Sequence, residues 1–518
     1  MDNSRGKILW IDDEINQLKP HILFLEERGY KVATSSSGVD ALSLFNEYSY
    51  DLILLDHFMI GIDGIETLRR LKEKDPSVPI IMITKSEEEW LMDEAISEKI
   101  SQFLIKPVNP SQIFMACKQI LEKITIRNEK ISKVYLDKFQ EIESCIENAN
   151  HFIDWWNLYN ELTLWSLKFE EHNEESLIQI LQDQFYNANR KFTKFIESQY
   201  LSIISSEDRP TISKDVFKNE VFSKIDSGEK VCFLIMDSMR LDQFYVLKNI
   251  LSEDFIIDIK PSMSILPTAT SFSRNSIFSG MFPDDFCKNY PAQLNDMQKS
   301  EGNLNNYEEL FFNDQLKRFE LFNKSHHYHK IWSLDEGIRF HKNIDRYKKC
   351  DIISIVVNFI DQLAYKRSHL EILKEMVPDE SGYRNAILSW YEKSWLKNVI
   401  NELRLSDFKI IMTSDHGSIT VKKPAIVSAD KLSSDGFRYK FGRNINIEDK
   451  FAIDARDLDR YHLPSLGPQC NYLIAKDDYF FVYPNEKNKY TSKLKNSFQH
   501  GGISMQEMLV PIFIMTSK

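Results

Sequence analysis

At 518 residues the chain is too long for one ordinary hydrophobic core, and its length points to about three domains. With 42% hydrophobic and 27% charged residues it has the make-up of a soluble globular protein. Its net charge of -12 argues against a broad polyanion-binding face, which needs an excess of Lys and Arg, though not against a small basic pocket for one phosphate. No apolar run approaches the roughly 20 residues that cross a bilayer, and Met1-Asp2-Asn3-Ser4-Arg5-Gly6 carries no signal-peptide pattern, so a cytoplasmic location is expected. Cys117, Cys145, Cys232, Cys287, Cys350 and Cys470 form no C-x-x-C pair, which speaks against both a disulfide framework and a cysteine-zinc site.

From Lys7 onward, short apolar strands alternate with amphipathic helices: Ile8–Ile11, Val32–Ala33, Leu52–Leu55, Ile80–Ile83 and Phe103–Ile105. Five such units predict a doubly wound parallel sheet. Asp12 and Asp13 follow the first strand, Asp56 the third, Thr84 the fourth and Lys106-Pro107 the fifth, so one crevice at the carboxyl ends collects them. Three carboxylates in one crevice repel one another unless a hard cation such as Mg2+ lies between them. Asp56 then becomes a candidate nucleophile toward a phosphoryl donor, with Lys106 and Thr84 placed to hold the added oxygens. This set, with Gly61-Ile62-Asp63-Gly64 after the acceptor, resembles the flavodoxin-like receiver domain of bacterial response regulators. The resemblance implies phosphorylation of Asp56 by a sensor histidine kinase, with Phe103 as the aromatic switch partner of Thr84.

Between Pro110 and Pro210 there is no proline, and between Gly64 and Gly228 no glycine, as long helices require. Ile113, Cys117, Ile120 and Ile124, continuing into Ile131, Val134 and Ile142, mark one helical face. Trp155, Trp156, Trp165, Phe185, Phe192 and Phe195 supply the core of a helical bundle rather than a cofactor site. This middle layer carries no catalytic constellation, and its expected work is mechanical, as a relay and dimer contact.

After Pro210 the α/β alternation resumes. Strands are expected at Val231–Met236, Phe255–Ile259, Ile352–Phe359, Lys409–Met412, Tyr479–Val482 and Val510–Met515, with long insertions at 281–350 and 418–475. Chemistry-bearing residues again follow apolar runs: Asp237, Thr268 and Thr270, Asp415-His416 and His500. Hydroxyl, acids and histidines in that arrangement outline a two-metal phosphoryl-transfer site. Leu234–Arg240, Leu266–Thr270 with Arg274, Thr413–Gly417 and His500–Ser504 with Glu507–Pro511 resemble the PglZ branch of the alkaline phosphatase superfamily.

That resemblance implies one zinc held by Asp237, Asp415, His416 and the Thr270 hydroxyl, with Thr270 as nucleophile four residues before Arg274, itself a substrate-binding residue. The physical reason is that an alcohol is a poor nucleophile at pH 7 until a metal lowers its pKa, as zinc lowers that of water from about 15.7 to about 7. A second zinc is expected on Asp361 and His500 plus a histidine four residues after Asp361. Here that position is Tyr365, a poorer ligand than imidazole, and His369 one turn further on is the remaining candidate. Ser325-His326-His327-Tyr328-His329 reads as a surface loop in preference to a metal tract. Arg438-Tyr439-Lys440, with Lys422, Lys423 and Arg443, reads either as a solvated face or as a clamp on substrate, with Tyr439 stacking on a base.

Three domains are thus expected: a receiver over 1–120, a helical linker and dimerisation domain over 121–205, and an alkaline-phosphatase-like α/β domain over 206–518. Their order resembles the PorX-type response regulators of type IX secretion. The resemblance implies homodimerisation on phosphorylation, a sigma factor and secretion-system proteins as partners, and zinc-dependent phosphodiesterase activity on oligonucleotides. An alternative is a signalling scaffold that binds nucleotide or partner without turnover. A DNA-binding output is disfavoured by the absence of a compact helix-turn-helix pattern and by the acidic balance.

Overall fold

The computed structural model describes residues 6–85, 100–172, 175–293, 305–428, 436–465, 467–484 and 487–518. The chain divides into two compact units, Met1–Phe139 and Gln140–Lys518.

In the first unit, β1 (Lys7–Ile11), β2 (Lys31–Ser35), β3 (Leu52–Asp56), β4 (Ile80–Thr84) and β5 (Gln102–Ile105) form a parallel sheet in the order β2-β1-β3-β4-β5. β3 and β4 are buried along their whole length, as strands covered on both faces must be, which is why they read as unbroken apolar runs. The strand order reverses at β1 and β3, so the crevice opens where Asp12 and Asp56 leave the sheet.

The helix Pro110–Asn148 follows. Ile113, Cys117, Ile131 and Ile142 are buried as the spacing predicts, but Val134 is 41% exposed and Tyr135 takes the inward place. The reason is helical phase: Tyr135 lies four residues after Ile131, on the same stripe, whereas Val134 lies to one side. The side chain of Ile124 falls outside the described residues.

In the second unit, β6 (Lys230–Met236), β7 (Phe255–Met263), β8 (His326–Ile331), β9 (Ile352–Val357), β10 (Phe408–Thr413) and the C-terminal strand Leu509–Ser517 build a six-stranded sheet. Its order is β7, C-terminal strand, β10, β6, β9, β8. The C-terminal strand runs antiparallel to both neighbours, and the other five point the same way. Their carboxyl ends therefore share one edge. Apolar side chains fill both faces, with Leu234, Met236, Ile355 and Met412 in one cluster and Phe233, Ile235, Val356 and Ile411 in the other.

The helices Phe152–Glu171 and Glu175–Ser205 belong to this second unit. Trp155 packs edge-on against Phe192 and tilted against Phe195, with ring centroids at 5.5 and 5.9 Å, so these aromatics are core. The histidine tract is not a loop. His326–Ile331 is the edge strand β8, where His329 packs on Phe340 and Tyr347 and burial lowers its pKa to about 4. The alternating inward rings carry a strand pattern that three histidines disguise, since histidine is a weak marker of burial.

Candidate active site and phosphorylation site

β6 delivers Asp237, β10 delivers Ser414-Asp415-His416, the chain after β7 delivers Thr268 and Thr270, and the segment before the C-terminal strand delivers His500. Carboxylate oxygens of Asp237 and Asp415 and a ring nitrogen of His416 lie within 4.8 Å of one another, all three residues buried. Thr270, first residue of the helix Thr270–Ser279, places Oγ1 3.0 Å from His416 Nε2.

The His416 tautomer follows from its neighbours. Nδ1 lies 3.0 Å from the Gly417 carbonyl, which only accepts, so Nδ1 donates and Nε2 turns its lone pair toward Thr270. Burial, together with the nearby His500, lowers the His416 pKa to about 3, so the imidazole is neutral and fit to ligate. Burial raises the pKa of both Asp237 and Asp415, against the charge of Arg274.

Backbone contacts make the pocket rigid. Ser414 Oγ lies 2.7 Å from the carbonyls of both Met236 and His416, which share its single proton, and accepts from Met239 N at 2.9 Å, tying the ends of β6 and β10 together. Asp415 Oδ1 accepts from Ser238 N at 3.2 Å and His416 N at 3.0 Å. A Cβ on Gly417 would meet the Gln506 carbonyl oxygen at 1.9 Å, so only glycine allows the His416 turn to pass the loop after His500.

Asp237 Oδ1, Asp415 Oδ2 and His500 Nδ1 are buried without a hydrogen-bond partner. Such orphaned acceptors beside an oriented imidazole and a hydroxyl are the donor set a tetrahedral cation takes, and zinc fits it. On the outer side, His500 stacks on His416 with centroids at 4.3 Å and sets Nε2 3.6 Å from Asp361 Oδ1. Burial and the Asp237 charge raise the Asp361 pKa to about 6.

Several expected residues serve otherwise. Arg274 is fully buried, 2.7 Å from Asp237 and 2.5 Å from Glu308, so its charge holds the carboxylates and does not reach substrate. Arg438 is buried against Glu507 at 2.5 Å, and Glu507 also accepts from Gly502 N and Ser504 Oγ, so Arg438 braces the loop carrying His500. Tyr439 packs edge-on against Phe272, and Lys440 is buried with its ammonium 4.9 Å from the Tyr483 ring centroid. A clamp on substrate needs exposed groups, and Arg438, Tyr439 and Lys440 are not. His369 is exposed with Nδ1 spent on the Tyr365 carbonyl, and Tyr365 is 66% exposed. Glu308, absent from any sequence motif considered, completes the Arg274 network with Lys330 at 3.1 Å.

In the first unit, Asp12, Asp13 and Asp56 offer carboxylate oxygens within 4.8 Å of one another. Lys106 Nζ lies 2.8 Å from Asp12 and 3.0 Å from Asp56. Burial raises the Asp56 pKa; it also opposes the Lys106 charge, but the hydrogen bonds to Asp12 and Asp56 outweigh that and raise the lysine pKa. Thr84 is buried at the end of β4, and Phe103 on β5 packs into the same face of the core as Met82. A Cβ on Gly64 would meet the Asp56 carbonyl oxygen at 2.5 Å, which explains the glycine after Asp63.

Family comparisons agree with this division of labour. A response regulator receiver domain model matches residues 8–118, a PorX response regulator linker domain model residues 125–204, and the BREX system PglZ alkaline phosphatase-like domain model residues 216–515. The chain belongs to the PorX-type response regulators. It joins a receiver to a PglZ alkaline phosphatase-like domain, which the third model covers over more than half the chain. Transcriptional regulatory protein ResD of Bacillus subtilis is 34% identical over 117 residues, 23% of this chain and 48% of that protein. Transcriptional regulatory protein ZraR of Salmonella typhimurium is 36% identical over 121 residues, 23% of this chain and 26% of that protein. This PorX-type chain thus spans about half or less of these relatives. A solved receiver domain from Clostridium thermocellum is 29% identical and covers 23% of this chain and 98% of its own, with a TM-score of 0.22. No described helix is long and apolar enough to cross a membrane.

Proposed function

We propose that the second unit is a zinc-dependent phosphodiesterase acting on nucleotide phosphodiesters, controlled through Mg2+-assisted phosphorylation of Asp56 by a histidine kinase. The supporting observation is Thr270 Oγ1 at 3.0 Å from a neutral His416 Nε2, beside two carboxylates with unpartnered oxygens. Asp237, Asp415, His416 and Thr270 would hold one zinc, and Asp361 with His500 would contribute to a second. Zinc bound there lowers the pKa of the Thr270 hydroxyl and polarises the phosphate.

Thr270 Oγ1 attacks phosphorus, forming the Oγ–P bond as the bond to the departing oxygen breaks; the Thr270 proton passes to water on the open side by Asp361 and His500, and the departing alkoxide takes a proton from that water to leave as the alcohol. Water then cleaves the threonyl phosphate and restores the hydroxyl. The Arg274 charge, 2.7 Å from Asp237 and 3.7 Å from Asp415, opposes the rise that burial imposes on both carboxyls. We further assign the working parts to 1–120, 121–205 and 206–518, in the cytoplasm, within type IX secretion control through a sigma factor, secretion-system proteins and a phosphorylation-dependent dimer. The helix Glu175–Ser205 suits a relay: Tyr200 accepts from Leu266 N at 2.9 Å, and Asn189 binds Met505 N and Gln506 at 2.8 Å, gripping both loops that carry Thr270 and His500.

The test is hydrolysis of bis(p-nitrophenyl) phosphate by zinc-loaded protein. Thr270→Val is expected to lower kcat by about a thousandfold or more with unchanged melting temperature; a wild-type rate would reject the reading. A second reading, a scaffold without turnover, is favoured by Tyr365, since it leaves two donors, Asp361 and His500, for a second cation.

A further inference from the structure

Two aromatic side chains remain exposed at the rim of this site, although burying a ring is worth up to about 3 kcal/mol. Trp332 follows β8 at the carboxyl edge of the sheet and is 49% exposed, and Tyr365 is 66% exposed. Both lie along the helix Phe359–Arg367. Ile360, Ala364 and Arg367 are its buried residues, while Gln362, Tyr365 and Lys366 recur at spacings of three and four on the outward side, with His369 exposed just past the helix end. Gln362 Nε2 donates to the Trp332 backbone carbonyl at 2.7 Å, which brings the main chain at Trp332 to the start of that stripe. The Tyr365 ring rests on His369, with centroids at 4.4 Å.

The stripe begins at the reactive centre. Tyr365 is one helical turn from Asp361, which together with His500 keeps 30% and 29% of its side-chain surface open. Lys330 Nζ, 5.2 Å from the Trp332 ring centroid, pairs with Glu308, which holds Arg274 and through it Asp237. Flat π-faces interleaved with an amide, an ammonium and an imidazole are what successive bases and backbone phosphates of a single strand bind.

We infer that Trp332, Gln362, Tyr365, Lys366 and His369 form a stacking track for the nucleotides flanking the scissile phosphodiester of a single-stranded nucleic acid. The inference rests on the phosphodiesterase reading for its register: the phosphate lies at Thr270 and the bases run outward along the helix. Trp332 and Tyr365 each present a face to a base, and Lys366 meets the intervening phosphate. Tyr365 is thereby explained, because a phenol poorly suited to zinc is well suited to stacking.

The experiment measures binding of a fluorescein-labelled phosphorothioate tetranucleotide to zinc-loaded full-length protein by anisotropy, beside turnover of a tetranucleotide and of methyl p-nitrophenyl phosphate. Tyr365→Ala and Trp332→Ala are each expected to weaken binding about fivefold to a hundredfold, the cost of losing one stacked base. The ratio of tetranucleotide to methyl p-nitrophenyl kcat/KM should fall alongside. Tyr365→Phe should restore both, since stacking needs the ring and not the hydroxyl. Unchanged binding in both alanine variants, no binding by the wild type, or failure of the phenylalanine to rescue overturns the track. Weakened binding with no turnover of any diester by the wild type would keep the track and reject the phosphodiesterase.

Discussion

Thr268 and Thr270 stand two residues apart in one tight segment, yet the fold gives them opposite tasks. Thr268 is fully buried; Oγ1 donates to the Gly502 carbonyl at 2.7 Å and accepts from Gly501 N at 3.2 Å, so it staples its segment to the loop of His500. Thr270, half-buried, has its hydroxyl directed at His416. The two valine variants should therefore separate stability from chemistry. Thr268→Val leaves a buried N–H and carbonyl unpaired and is expected to cost about 1–3 kcal/mol in urea unfolding, whereas Thr270→Val should cost nothing measurable and remove turnover. The same contrast distinguishes Arg274 and Arg438 from ligand-binding arginines: both are zero per cent exposed, and their guanidinium groups are spent on Asp237, Glu308 and Glu507.

At the scale of elements, ion pairs join the helical layer to the phosphatase-like sheet. Asp242, on the helix Leu241–Leu251 after β6, lies 2.5 Å from Arg240 and 2.7 Å from Arg384, and Arg384 pairs in turn with Glu170 of the helix Phe152–Glu171. Burial alone would raise the Asp242 pKa, but the Arg240 and Arg384 charges outweigh it and lower the value to about 2. A carboxyl whose folded pKa lies below its unfolded value near 4 stabilises the fold above that value and loses the contribution as pH falls toward 2. The expected result is a stability decline of roughly 2 kcal/mol between pH 5 and 2 that Asp242→Asn lacks, read by urea unfolding across that range. Asp242→Asn should itself be less stable at pH 7 by about 3–5 kcal/mol, because two buried guanidinium groups each lose one carboxylate partner and keep only the more exposed Glu380 and Glu170.

For the molecule as a whole, metal stoichiometry separates enzyme from scaffold. Asp237, Asp415, His416 and Thr270 supply four donors, the number a closed zinc site uses, while Asp361 and His500 supply two. Two zinc ions per chain by elemental analysis of protein purified with zinc, with activity lost on chelation and regained on adding the metal, is the outcome expected for the phosphodiesterase. One ion or none, without turnover, is that for the scaffold. The receiver titrates separately, since its Asp12, Asp13 and Asp56 set offers oxygen alone and suits Mg2+.

The sequence by itself determined the apolar strands and the residues that follow them, because an apolar run of four to six residues ending in a polar side chain is a local signal. Asp12, Asp56, Lys106, Asp237, Asp415 and His416 could be read in this way, and the fold brings each group together. What only the tertiary structure decided was direction and neighbourhood. Whether Arg438 faces solvent or Glu507, whether a histidine tract is loop or edge strand, and whether Tyr365 points to a metal or to water depend on partners tens to hundreds of residues distant. Charge and hydrophobicity identify a side chain's capacity, but burial cost is set by what the rest of the chain packs against it.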